Sequence, residues 1–168
     1  MGSAKSYFKT LALELAPWLE RLQATAKEEV LELQVRDYLD QFQITRAWKF
    51  PFQDLLPGED PALEVRVSSS IRIRATELNL RASINLDFPE AAGPYALGLA
   101  EIAWFEGQAI TDYFGSQDPR ILKFLGEILT RTVQEAVLER EEIIREAKSS
   151  PEYQEAESEI LTKIALSA

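Results

Sequence analysis

Between residues 63 and 105 the chain alternates apolar and polar residues in three short runs, a pattern that few architectures accommodate. Val65, Val67, Ile71 and Ile73 alternate with Glu64, Arg66, Ser68, Ser70, Arg72 and Arg74. Leu78, Leu80, Ala82, Ile84, Leu86 and Phe88 then alternate with Glu77, Asn79, Arg81, Ser83, Asn85 and Asp87. A third run, over 95–105, ends in Ala103-Trp104-Phe105-Glu106-Gly107. A period of two marks strands with one buried face and one wet face. The centre of the chain is therefore expected to be an antiparallel meander with an arginine-bearing polar face.

The flanks read as helix. Phe8, Leu11, Leu15, Trp18, Leu19 and Leu22 recur at helical intervals. Pro17 interrupts them; an interior proline costs ~3 kcal/mol, which predicts a kink or two helices. Over 28–52 the period is ambiguous. Leu31, Val35, Tyr38, Leu39 and Phe42 fit a helix, yet the β-branched and aromatic content favours a long, bulged edge strand over 30–42. Loops are expected at 56–61 and 89–94 from their Pro and Gly content. Asp118-Pro119 is a helix start, with the carboxylate as cap and proline where no donor is needed. Leu122, Leu125, Ile128 or Leu129, Val133, Val137 and Ile144 mark the apolar face of that helix, to about Lys148. Ser150-Pro151 repeats the signal for a final helix. The expected fold is α+β: an N-terminal helix, a four-stranded antiparallel meander sheet and two C-terminal helices packed on one side. One domain spans 1–168, with a helical extension at 1–28, the sheet region at 30–107 and the helices at 118–166.

Composition narrows the chemistry. A chain of 168 residues with 46% apolar and 27% charged residues can bury a core without staples. It has no cysteine and no histidine. Disulfides, thiolate nucleophiles, imidazole bases and the usual zinc ligands are thereby removed. No calcium loop, phosphate-binding loop or nucleophile elbow is present. The expectation is no enzyme, no cofactor and no metal. A net charge of −10 disfavours nucleic acid and anionic membranes. With no run of 18 apolar residues and no signal-peptide pattern, a cytoplasmic protein without membrane insertion is expected.

Two groups of residues stand out as candidates for binding. Arg66, Arg72, Arg74 and Arg81 lie on the polar sheet face and suit bidentate grips on carboxylates or phosphates. Glu64, Glu77 and Asp87 on the same face are placed to neutralise them across strands. The aromatics Trp48, Phe50, Phe52, Trp104 and Phe105 form the better candidate, an apolar surface for another polypeptide. Consecutive Trp104 and Phe105 must point to opposite sides of a strand, so one of them leaves the main core. Glu101, inside the last strand, is the only carboxylate suggesting catalysis, and pairing with a strand arginine is the simpler role for it.

The layout resembles the SecB-like export chaperones. The resemblance runs over 31–137, through Leu80-Arg81-Ala82-Ser83-Ile84-Asn85-Leu86, then Pro94-Tyr95-Ala96-Leu97-Gly98-Leu99-Ala100-Glu101-Ile102-Ala103-Trp104-Phe105-Glu106. Asp118-Pro119-Arg120-Ile121-Leu122 falls where that family begins its long helix. It implies a non-enzymatic, ATP-independent holdase that keeps unfolded or cognate polypeptide in apolar grooves, usually as a dimer of dimers, and so a homo-oligomer. Two alternatives fit the same chain: a dedicated secretion chaperone for one effector, and an assembly subunit of a phage-like or other complex.

Overall fold

The computed structural model describes residues 3–26, 42–59, 62–74, 77–87 and 95–149. Its elements run α1 (Ala4–Ala26), β1 (Gln43–Pro51), the single-turn α2 (Phe52–Leu55), β2 (Glu64–Ile73), β3 (Glu77–Asp87), β4 (Tyr95–Phe105), β5 (Gln108–Gly115) and α3 (Pro119–Ser149). The α+β class holds. The sheet, however, is a five-stranded antiparallel meander in the order β1-β2-β3-β4-β5, not the four-stranded one expected.

The three alternating runs became β2, β3 and β4. Their apolar sets, Val65 to Ile73, Leu78 to Leu86 and Ala100 to Trp104, face one way and are buried. Facing them is the apolar stripe of α3, in which Leu125, Leu129, Val133, Ala136 and Val137 are fully covered. Asp118 caps that helix as expected: its Oδ1 accepts the Arg120 backbone N–H at 2.9 Å. The Arg120 guanidinium, hydrogen-bonded to the same carboxylate, holds Asp118 below the usual carboxylate range. The final helix expected from Pro151 and the edge strand expected over 30–42 lie outside the described residues, apart from Phe42.

The helix α1 lies beside α3 and against β5. It runs as one helix through Pro17, so of the two expected outcomes the split into two helices does not occur. Proline deprives only the Leu13 carbonyl of its helical donor. Leu13 and Pro17 both face solvent, so water can serve that carbonyl. Arg21 holds the Glu141 carboxylate through two bonds of 2.6 and 2.7 Å. Deeper in, fully buried Arg140 donates from Nε to Thr25 Oγ1 at 2.7 Å and lies over the Phe42 ring at 5.0 Å. Gly126 lets the helices approach: a Cβ there would meet the Tyr7 hydroxyl at 2.6 Å.

Strands β4 and β5 join through Glu106 and Gly107, with φ of 51° and 79°. Positive φ at both central residues is the type I′ geometry that matches the twist of a two-residue hairpin. At the far end Gly115, with φ of 134°, crosses so closely that a Cβ would sit 2.5 Å from the Leu97 carbonyl. Gly107 has open space around it. Gly115→Ala is therefore expected to destabilise the fold by about 3 kcal/mol, because strain and collision add. Gly107→Ala should cost about 1 kcal/mol, from the left-handed conformation alone. Urea unfolding of both variants checks the order.

Candidate functional site

The two sheet faces differ. One is covered by α1 and α3. The outer face divides along its width: over β2 and β3 it is polar, with Ser68 and Ser83 hydroxyls 2.6 Å apart. Arg81 reaches Glu101 across β3 and β4 at 3.4 Å. Glu101 is thus an exposed ion-pair partner, the simpler of the two roles expected for it.

Over β4 and β5 the same face becomes apolar. Cross-strand partners point to the same side of a sheet. The register Leu99↔Phe114, Ala103↔Ile110 and Phe105↔Gln108 therefore gathers Leu99, Ala103, Phe105, Ile110 and Phe114 on one surface. Phe114 is 70% exposed, Ile110 66% and Phe105 44%. Around the free side of β5 this surface meets a groove of about 690 Å³ between β5 and α1, walled by Ala12, Leu13, Ala16, Trp104, Ala109 and Ile110. Leu13 is itself 76% exposed.

The five aromatics expected to form one surface are dispersed. Phe52 is buried at the start of α2. Trp104 is buried under α1, its indole N–H donating to Gln23 Oε1 at 3.0 Å. Phe50 packs against Phe124 of α3 with ring centroids 5.6 Å apart. Trp48 is 37% exposed at the opposite sheet edge, over a small hollow with Arg46, Ser69, Arg131 and Glu135. Arg46 and Glu135 pair there at 2.9 Å. Phe105 alone of the five joins the outer apolar surface. The opposition of Trp104 and Phe105 follows the sequence expectation. Ile110 and Phe114 escaped it because β5 was not recognised; the signal was Glu106-Gly107 followed by Gln-Ala-Ile-Thr-Asp-Tyr-Phe, a hairpin turn with a returning strand.

Beneath this surface two phenols have raised pKa values. The Tyr113 hydroxyl donates to the Ser116 carbonyl at 2.5 Å, its ring stacks on Phe8 at 5.0 Å, and burial pushes its pKa up to about 12. Burial likewise raises Tyr7, with Glu127 and Glu14 adding to it. Both phenols serve as neutral struts. Among the described residues no group of three or more Asp or Glu side chains is placed to hold a metal ion. Nor, among them, is any helix long and apolar enough to cross a membrane. No protein-family model, curated protein or solved structure matches the chain.

Two outcomes follow from these placements. Trp104→Ser should destabilise the fold by about 3–5 kcal/mol, while Phe105→Ser should change it by less than about 1 kcal/mol, read by denaturant unfolding. The raised phenol makes stability pH-dependent. Tyr113 keeps its proton in the folded state after an unfolded tyrosine, near 10, has lost it. Its contribution is therefore complete below pH 10 and is lost as pH rises towards 12. Thermal melts across that window should fall, and less steeply in Tyr113→Phe.

Proposed function

We propose that this chain works by binding polypeptide rather than by chemistry, as a holdase-like chaperone that shields an unfolded or cognate partner on the outer face of β4 and β5. The observation that carries this reading is the cluster of large apolar side chains, Phe105, Ile110 and Phe114, exposed together on one sheet face beside an apolar groove. A contiguous apolar patch of this kind is often the functional surface of a monomer.

Magnitude supports transient holding. The three side chains expose on the order of 300–400 Å² of apolar surface, about the largest patch of an ordinary monomer. At about 25 cal/mol per Å², full coverage is worth on the order of 8 kcal/mol before the cost of ordering the partner. A net result well short of permanent association suits a protein that must release what it holds. The meander followed by an Asp-Pro-led helix keeps the SecB-like layout as supporting pattern, with a fifth strand as a departure from it. Homo-oligomerisation, absence of enzymatic activity and a cytoplasmic setting belong to the same proposal.

The test is suppression of aggregation of a chemically unfolded model protein, with light scattering to give the oligomer mass in the same buffer. The native chain should suppress aggregation near stoichiometric amounts. The triple variant Phe105→Ser, Ile110→Ser, Phe114→Ser should need at least ten-fold more protein while melting within a few degrees of the native chain. Equal suppression by the triple variant would remove the surface from the account. No suppression by the native chain would favour a dedicated partner or an assembly role.

A further inference from the structure

We infer that the partner binds by adding an extended segment to the free edge of β5 as a sixth, antiparallel strand, and that this segment carries the pattern apolar-x-basic-x-apolar. The inference rests on the polypeptide-binding reading and specifies its mode and its ligand chemistry.

Strand β5 ends the sheet, and among the described residues no strand pairs with its far side. Its backbone polarity is fixed by the hairpin. A two-residue turn closes on a hydrogen-bonded pair, here Phe105↔Gln108. Bonded and non-bonded pairs alternate along an antiparallel ladder. Gln108, Ile110, Asp112 and Phe114 therefore bond to β4, while Ala109, Thr111 and Tyr113 turn N–H and C=O to the open edge. The Tyr113 N–H shows this directly: it donates to the Asp112 side-chain Oδ1 at 2.9 Å rather than to β4. An incoming carbonyl has only to displace that carboxylate.

Among the described residues the two outermost strands of the sheet are protected unequally. Arg46, Lys49 and Pro51 guard β1, the usual devices against edge pairing. The sequence of β5 has no Lys, Arg or Pro. Beside the first half of that edge, along Gln108 to Thr111, runs the groove against Ala12, Leu13 and Ala16, with Lys9 and Glu20 also lining it, so an added strand meets a largely apolar wall there.

Area and charge choose the occupant. The exposed apolar patch is about half of the ~800 Å² per partner that a stable dimer covers. Main-chain bonds to an edge make up that deficit for a short extended segment. A second copy also brings a like charge of −10. In self-pairing, the register that sets Ile110 against Phe114 sets Asp112 against its own counterpart. On the outer face Asp112 neighbours Glu101, whose carboxylate already engages Arg81; Lys5 borders Asp112 only from the helix side. A foreign strand with a cation flanked at two-residue spacing by apolar side chains meets Ile110, Asp112 and Phe114 in turn.

A fluorescently labelled peptide with Ile-Thr-Lys-Thr-Phe at its centre, titrated into the full chain, tests this by anisotropy. Residues opposite Thr111 and its edge-facing neighbours bond to β5, so N-methylating the two Thr residues should weaken binding at least ten-fold. N-methylating Ile, Lys and Phe should change it less than three-fold. Thr111→Pro removes an edge donor that β4 does not use, so it should lose the peptide while keeping the native melt. Replacing Lys by Glu in the peptide should weaken binding, and Asp112→Ala should abolish that preference. Equal effects of the two methylation patterns, with an unfolded client still held, overturn strand addition and leave the polypeptide-binding reading standing. Binding of neither peptide nor client overturns both. A dimer that Thr111→Pro dissociates assigns the edge to a second copy and overturns the proposed occupant.

Discussion

The contact between one face of the sheet and the stripe of α3 organises everything else. Val65, Val67, Ile71, Leu80, Ile84 and Ile102 are shut off from water by Leu125, Leu129, Val133 and Val137, all of them essentially fully buried. That burial orients every strand, since a slip of one residue would turn each apolar set into solvent. It also leaves a geometric remainder. The contacts of α3 with the sheet centre on β2, β3 and β4, so the two outermost strands must find other cover. On one flank Trp48 and Phe50 lean on the side of α3. On the other, α1 covers the inner face of β5 and leaves a groove along its edge.

The candidate surface is a consequence of this layering. A strand at the end of a sheet has little core to fill, so its composition is free to serve another purpose. In β5 the inward Tyr113 ties the strand to α1 and to the chain beyond it, stacked on Phe8, wedged over Gly98 and bonded to Ser116. The outward Ile110 and Phe114 lie outside the core and are mostly exposed. They continue the apolar side of β4, where Leu99 and Phe105 stand, and so extend a surface that polar Arg, Ser and Asn bound on β2 and β3. Anchoring on the inside and exposure on the outside are what a rigid binding edge requires.

The sequence was most legible where one physical demand acted alone. The runs in β2, β3 and β4 alternate cleanly because each strand is buried on one side only, and Asp118-Pro119 announces α3 because capping is local. Strand β5 was announced only by its Glu106-Gly107 turn, because neither of its faces is cleanly apolar or polar: Ala109, Thr111 and Tyr113 on one side, Gln108, Ile110, Asp112 and Phe114 on the other. Strand β1 was hidden by the same edge effect, since its residues are mostly exposed and Pro51 closes it. Among the aromatics, composition could flag Trp48, Phe50, Phe52, Trp104 and Phe105 but not sort them. Only register separates Trp104, which seals the core, from Phe105, which leaves it.

The most direct measurement is residue-resolved amide hydrogen exchange on the free chain and on the chain holding an unfolded client. In the free chain the N–H groups of Ala109 and Thr111 should exchange quickly, because they face the open edge, while Ile110 and Phe114 should be protected by β4. On client binding, Ala109, Thr111 and Tyr113 should gain protection and the amides of β1 should not change. Protection gained at β1 beside Trp48, or at no amide of β5, would contradict the account.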